Sequence, residues 1–130
     1  KRLDLAEAAC RRMGRKLVVA KGVSAEELRA LYAGAKALLF PGLEDFGIVP
    51  VESQAAGTPV IAFGQGGALE TVVDGETGLF FHEQSVEALC HAIEEFEGKK
   101  FNPDLCLRNS TKFNYGSFFK GMKMVFQKGH

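Results

Sequence analysis

The sequence has no net charge. Its 130 residues hold 16 Lys and Arg against 16 Asp and Glu. Nucleic-acid-binding modules usually carry a basic surplus, and membrane-surface domains carry a polybasic patch, so neither class fits. No apolar run approaches the roughly 20 residues that span a bilayer, which excludes a transmembrane segment of that kind. No signal peptide is visible. Cysteine is scarce. Cys10, Cys90 and Cys106 are an odd number without metal-type spacing, which predicts free thiols in a reducing, cytoplasmic setting. Internal repeats and low-complexity tracts are also missing. What is present is an ordinary globular composition, 46% apolar and 25% charged. The length suits one domain with a real core. The chain opens on Lys1 rather than Met, in mid-pattern, so a piece of a longer protein is expected.

Apolar patterning predicts alternating helices and strands. Leu3, Ala6, Cys10 and Met13 share one helical face over residues 3–13. Three short, wholly apolar runs, 17–20, 37–40 and 60–63, read as strands buried on both faces, the signature of a parallel sheet. Between the first two, Ser24 and Glu27 form a capping box ahead of a helix that buries Leu28, Leu31, Tyr32 and Ala35. Between the last two, Pro50 suits the first turn of a helix ending at Gly57. Thr71-Val72-Val73 and Gly78-Leu79-Phe80-Phe81 flank a turn at 74–77. Residues 85–97 form another amphipathic helix with Gly98 as its stop. The tail, 101–128, is expected to add one or two helices. This order predicts an α/β fold, a doubly wound parallel sheet with a helical tail. Ligands of such sheets sit beyond the carboxyl ends of the strands, which directs attention to the loops after Ala20, Phe40 and Phe63.

The loop after Phe40 is the most informative. Glu44 and Glu52 are separated by seven residues, one in the loop and one in the first turn of the next helix. Gly47 lets a ligand approach the backbone closely. The amides of Gly47, Ile48 and Val49 lie at a helix N-terminus, where orphan N–H groups and the helix dipole favour phosphate. A carboxylate on either side of such a nest suits a phosphorylated, hydroxyl-rich ligand. Taken alone, the two glutamates are as well explained by the preference of acids for helix N-termini.

Their surroundings change that balance. Phe46-Gly47-Ile48-Val49-Pro50-Val51-Glu52 completes a Glu-x7-Glu motif. Ala55-Ala56-Gly57-Thr58-Pro59-Val60 follows in register, and then Gly66-Gly67-Ala68-Leu69-Glu70-Thr71-Val72-Val73-Asp74-Gly75-Glu76-Thr77-Gly78. Together they resemble the C-terminal half of GT-B fold retaining glycosyltransferases of family four. The likeness is dense over 25–97, extends over 1–20 and is weak in the tail. It implies a nucleotide-sugar-binding domain spanning 1–130, incomplete on its own, whose parent has an N-terminal acceptor domain. By that resemblance Glu44 is the catalytic-site carboxylate, orienting the donor sugar. Phe46, Gly47 and Ile48 offer amides to sugar and phosphates, Glu52 holds the ribose, and Lys1 pairs with the diphosphate. Val23 and Ser24 lie near the base, and Gly66 and Gly67 cap the sugar pocket, although a plain turn is their simpler reading. No metal or other cofactor is implied, because cations and amides carry the diphosphate charge. The wording of the motif is most like mannosyltransferases that use GDP-mannose, many of whose relatives act at the cytoplasmic face of a membrane.

The sequence also departs from the family. A first strand and a Gly-Arg, whose arginine would share the diphosphate with Lys1, are expected ahead of Lys1. A further βα unit is expected after Ala20. These gaps support the rival reading, a catalytically silent nucleotide-binding or interaction module of the same fold. His82, His91 and His130 are expected to be structural or exposed. Phe118, Phe119 and Phe126 are expected to be exposed and sticky without a partner domain.

Overall fold

The computed structural model describes residues 1–44, 48–113 and 121–127. Eleven elements follow in the order α1 (Leu3–Met13), β1 (Leu17–Ala20), α2 (Ala25–Ala33), β2 (Ala35–Phe40), α3 (Ile48–Ala55), β3 (Val60–Phe63), α4 (Ala68–Thr71), β4 (Gly78–Phe81), α5 (Val86–Glu97), α6 (Pro103–Ser110) and β5 (Lys123–Gln127). Local chemistry sets most boundaries. The Ser24 hydroxyl accepts from the Glu27 amide, and the Glu27 carboxylate accepts from the Ser24 amide, so the capping box starts α2 as read. Ser85 caps α5 with its hydroxyl alone, which accepts from the Ala88 amide. Asn102 caps α6, with Pro103 in its first turn. Pro50 is the third residue of α3, which starts two residues earlier than its proline suggests.

The five strands form one sheet in the order β1-β5-β2-β3-β4. β2, β3 and β4 are parallel, as the runs 37–40 and 60–63 predict for the first two. The run 17–20 departs from its expectation: β1 ends the sheet, pairs antiparallel with β5 and leaves Val19 42% exposed, so it is not buried on both faces. A Cβ on Gly78 would collide with the Val60 carbonyl, so only glycine lets β4 begin against β3. Two apolar layers enclose the sheet. One packs Leu5, Ala6, Ala9 and Cys10 of α1 and Leu89 and Ile93 of α5 against Leu39, Ile61 and Phe126. The other packs Leu28 and Tyr32 of α2 and Val49 of α3 against Leu38, Val60 and Val125. Each fully buried Leu or Ile in these layers contributes about 1.5–3 kcal/mol.

The tail differs from the expectation. Its described residues form one helix, α6, and then a strand. β5 lies between β1 and β2 and runs antiparallel to both. Met124-Val125-Phe126 is apolar at every position and buried on both faces, which is the demand of a central strand. Phe126 is therefore fully buried, stacked edge-on to Phe96, and not exposed as the tail's composition suggested. Phe118, Phe119 and His130 lie outside the described residues. Thr71 ends the short helix α4 rather than forming part of a strand, and Gly75, at φ 82°, makes the turn that follows. His82 and His91 are exposed.

Candidate functional site

The carboxyl ends of β2 and β3 meet the start of β5 at one edge of the sheet. A cleft of about 250 Å³ opens there. Its walls are Leu38, Leu39 and Phe40 of β2, Ile48 and Val49 of α3, and Met122 and Met124 of the tail, while Lys1, Gly42 and Glu44 supply its remaining lining. Expected residues Lys1, Glu44 and Ile48 are thus brought together. Phe46 and Gly47 lie outside the described residues.

Backbone packing holds this edge. The Gly67 amide donates to the Glu44 carbonyl over 2.7 Å. Gly66 sits at φ 73°, and a Cβ there would collide with that same carbonyl. Gly66 therefore acts on the Glu44 loop by positive φ and close approach, and Gly67 acts on it through its amide. Gly42 plays the same part for the chain start, since a Cβ there would stand 3.1 Å from the Lys1 Cα. Lys1 Nζ then donates to Glu44 Oε1 at 3.2 Å, with both side chains still reached by solvent.

Glu52 is placed differently. It is 5% exposed, in the second turn of α3, and its Oε1 lies 3.6 Å from Nζ of Lys123, itself 2% exposed. Burial pushes the Glu52 carboxyl up to about 7, with Lys123 opposing the shift. Tyr32, on α2, belongs to the same buried group. Its phenol is raised first by burial and then by the Glu52 charge, and its hydroxyl has no hydrogen-bond partner among the described residues. Nearby, Gln54 and Asn109 both donate to the Thr71 carbonyl, and the Asn109 amide also donates to Gln54 Oε1, tying α6 to α3.

Val23 is half-buried against the α2 layer, and Ser24 is committed to capping α2; neither lines the cleft. Sequence reasoning missed Lys123, Tyr32, Met122 and Met124. The available signal was a single lysine inside the run Met122-Lys123-Met124-Val125-Phe126, a charge no strand buries without a partner. Among the described residues no three His, Cys, Asp or Glu side chains gather closely enough to hold a metal ion, and no helix is long and apolar enough to cross a membrane.

Comparison with known proteins places this architecture. A family model described as glycosyl transferases group 1 matches residues 6–112. The chain is 42% identical over 71 residues to a D-inositol 3-phosphate glycosyltransferase of Corynebacterium aurimucosum, covering 54% of this chain and 17% of that protein. It is 36% identical over 93 residues to the alpha-1,3/1,6-mannosyltransferase ALG2 of Dictyostelium discoideum, covering 68% and 22%. It is 39% identical over 85 residues to a GDP-mannose-dependent alpha-(1-6)-phosphatidylinositol monomannoside mannosyltransferase of Mycolicibacterium smegmatis, covering 59% and 22%. Among solved structures, sucrose-phosphate synthase from Thermosynechococcus elongatus superimposes with a TM-score of 0.55 and 35% identity, over 68% of this chain and 22% of that one. The chain spans about a fifth of the length of these curated relatives. With the family pattern running through most of its length, on a sheet and helices that match a solved relative, the chain belongs to the glycosyl transferases group 1 and has the fold of a GT-B C-terminal domain.

Proposed function

We propose that this chain is the donor-binding domain of a retaining glycosyltransferase and that its donor is GDP-mannose. One observation carries the reading: Lys1, Glu44 and the first turn of α3 line a single cleft at the carboxyl edge of the sheet. Lys1 and the α3 amides face the diphosphate and offset its charge without a metal ion. Glu44, fixed through its carbonyl by Gly67, orients the sugar. Glu52 takes the ribose hydroxyls, while Val23 and the Ser24 backbone border the base. The choice of mannose is supported by two relatives that are mannosyltransferases, one of them GDP-mannose-dependent. In the reaction the bond from the anomeric carbon to the diphosphate breaks, and the electron pair leaves with the phosphate oxygen. An acceptor hydroxyl, held by the N-terminal domain of the parent chain, attacks on the same face, and its proton passes to the departing phosphate. The acceptor is a glycan or a lipid-linked sugar. On this reading the isolated chain binds donor but does not transfer it.

Titration calorimetry with GDP, UDP, ADP and GDP-mannose tests the assignment. The expected result is binding of GDP over UDP and ADP, with GDP-mannose tighter than GDP. A folded sample that binds none of the four at millimolar concentration overturns it. The burial of Glu52 beneath Lys123 favours a second reading, a silent module of the same fold, and that reading predicts this negative result.

A further inference from the structure

Glu52 and Lys123 pose a problem for any ligand. A carboxylate 5% exposed cannot receive the hydroxyls of an incoming ribose while an ammonium sits against it. The ammonium is also a fair imitation of those hydroxyls. It presents several N–H donors to one carboxylate, where a vicinal diol presents two O–H donors, and its charge makes the contact stronger.

The segment that carries Lys123 is anchored unevenly. On the β1 side the pairing runs the whole strand, from Leu17 with Phe126 to Ala20 with Lys123. On the β2 side it stops at Leu38 with Val125. The register with β2 thus ends one residue short of Met124 and two short of Lys123. The 250 Å³ cleft opens beside them, with Met122 and Met124 on its wall. Flexible, unbranched methionines on both sides of Lys123 can repack as the strand end moves. The other ladder residues, Val125 and Phe126, are fully buried and hold the rest of β5 in place.

Resting on the donor-binding reading above, we propose that β5 is an internal occupant of the nucleoside site: Lys123 stands in for the ribose diol on Glu52, and a nucleoside diphosphate binds only as residues 122–124 peel from the sheet edge. The ligand competes with a group tethered in the same chain, so its apparent affinity is reduced by the fraction of molecules in which the strand end is open. The Tyr32 hydroxyl, buried in the same group without a partner among the described residues, is a polar atom that this opening would uncover.

Two measurements on the chain with GDP test the proposal. Lys123→Gln keeps a hydrogen-bond donor but removes the charge, and it is expected to tighten GDP binding about tenfold, with the fold checked by circular dichroism. In the unsubstituted chain, saturating GDP is expected to speed amide hydrogen exchange over residues 122–124 and to leave residues 60–63 unchanged. Equal or weaker GDP binding by Lys123→Gln, or unchanged or slowed exchange at 122–124 in a chain that does bind GDP, overturns the internal occupant and leaves the donor reading standing. A folded chain and a folded variant that both fail to bind GDP overturn the donor reading itself.

Discussion

The two glutamates of the Glu-x7-Glu motif each meet a lysine, and the two pairs could hardly differ more in setting. Glu44 and Lys1 are 3.2 Å apart, with side chains 26% and 52% exposed. Glu52 and Lys123 are 3.6 Å apart, with side chains 5% and 3% exposed. The outer pair is screened by water and holds little energy. The inner pair has surrendered hydration on both sides and recovers it only through its partner and neighbours. One motif thus supplies a carboxylate free to exchange its partner and a carboxylate locked beneath the tail. The comparison can be broken most forcefully from the inner side. Lys123→Ala leaves the Glu52 carboxyl buried without its cation and is expected to destabilise the fold by about 3–5 kcal/mol, read as a lower urea midpoint at unchanged m-value. Replacing both partners with leucine is expected to recover most of that loss, because neither apolar side chain needs a charged partner when buried.

The same contrast should appear as a pH dependence. Burial raises the folded-state pKa of Glu52 from about 4.5 to about 7. A raised acid binds its proton more tightly when folded, so its stabilising effect is complete below about 4.5 and is lost as pH rises through about 7. Thermal stability should therefore fall between those values, by at most about 1.4 kcal/mol per pH unit for one proton. Glu97 acts in the opposite direction. Arg15, at 2.7 and 2.8 Å, and Lys36 hold its carboxyl below the usual range, so its contribution is lost only as pH falls below about 4.5. A melting series from pH 4.5 to 7.5 separates the two, and Glu52→Gln is expected to flatten the curve in that window. A slope that survives Glu52→Gln belongs to another group.

These features were not equally legible in the sequence. The parallel strands, the Ser24 capping box and the Glu44 loop are specified by residues close together in the chain, and local rules reach them. β5 is not of that kind. Its placement is a long-range pairing with β1 and β2, and the Lys and Asn around it dilute the apolar pattern of Met124-Val125-Phe126. Lys123 could be read as a site residue only after its strand was placed beside Glu52. The Gly66 and Gly67 assignment stood between a pocket cap and a turn; in the fold they act through the Glu44 carbonyl. Gly66→Ala tests that directly. At φ 73° a methyl group is strained and meets the Glu44 carbonyl. A loss of about 1–3 kcal/mol is expected, with faster amide exchange at Gly67 as the loop shifts.

The outer pair gives the smallest effect on stability and the sharpest effect on binding. Glu44→Gln removes one charge from a screened contact and is expected to change stability by less than about 0.5 kcal/mol. If Glu44 serves only to hold Lys1, that is the whole consequence. If it orients the donor sugar, the substitution should weaken GDP-mannose about tenfold and leave GDP nearly unchanged, because only the sugar reaches it. A fall in affinity for both ligands would assign Glu44 to the diphosphate end, through Lys1. Unchanged affinity for both would leave it as part of the loop's packing. The ratio of the two affinities therefore distinguishes a carboxylate that touches the sugar from one that only positions a lysine, and the fold itself is indifferent to the substitution.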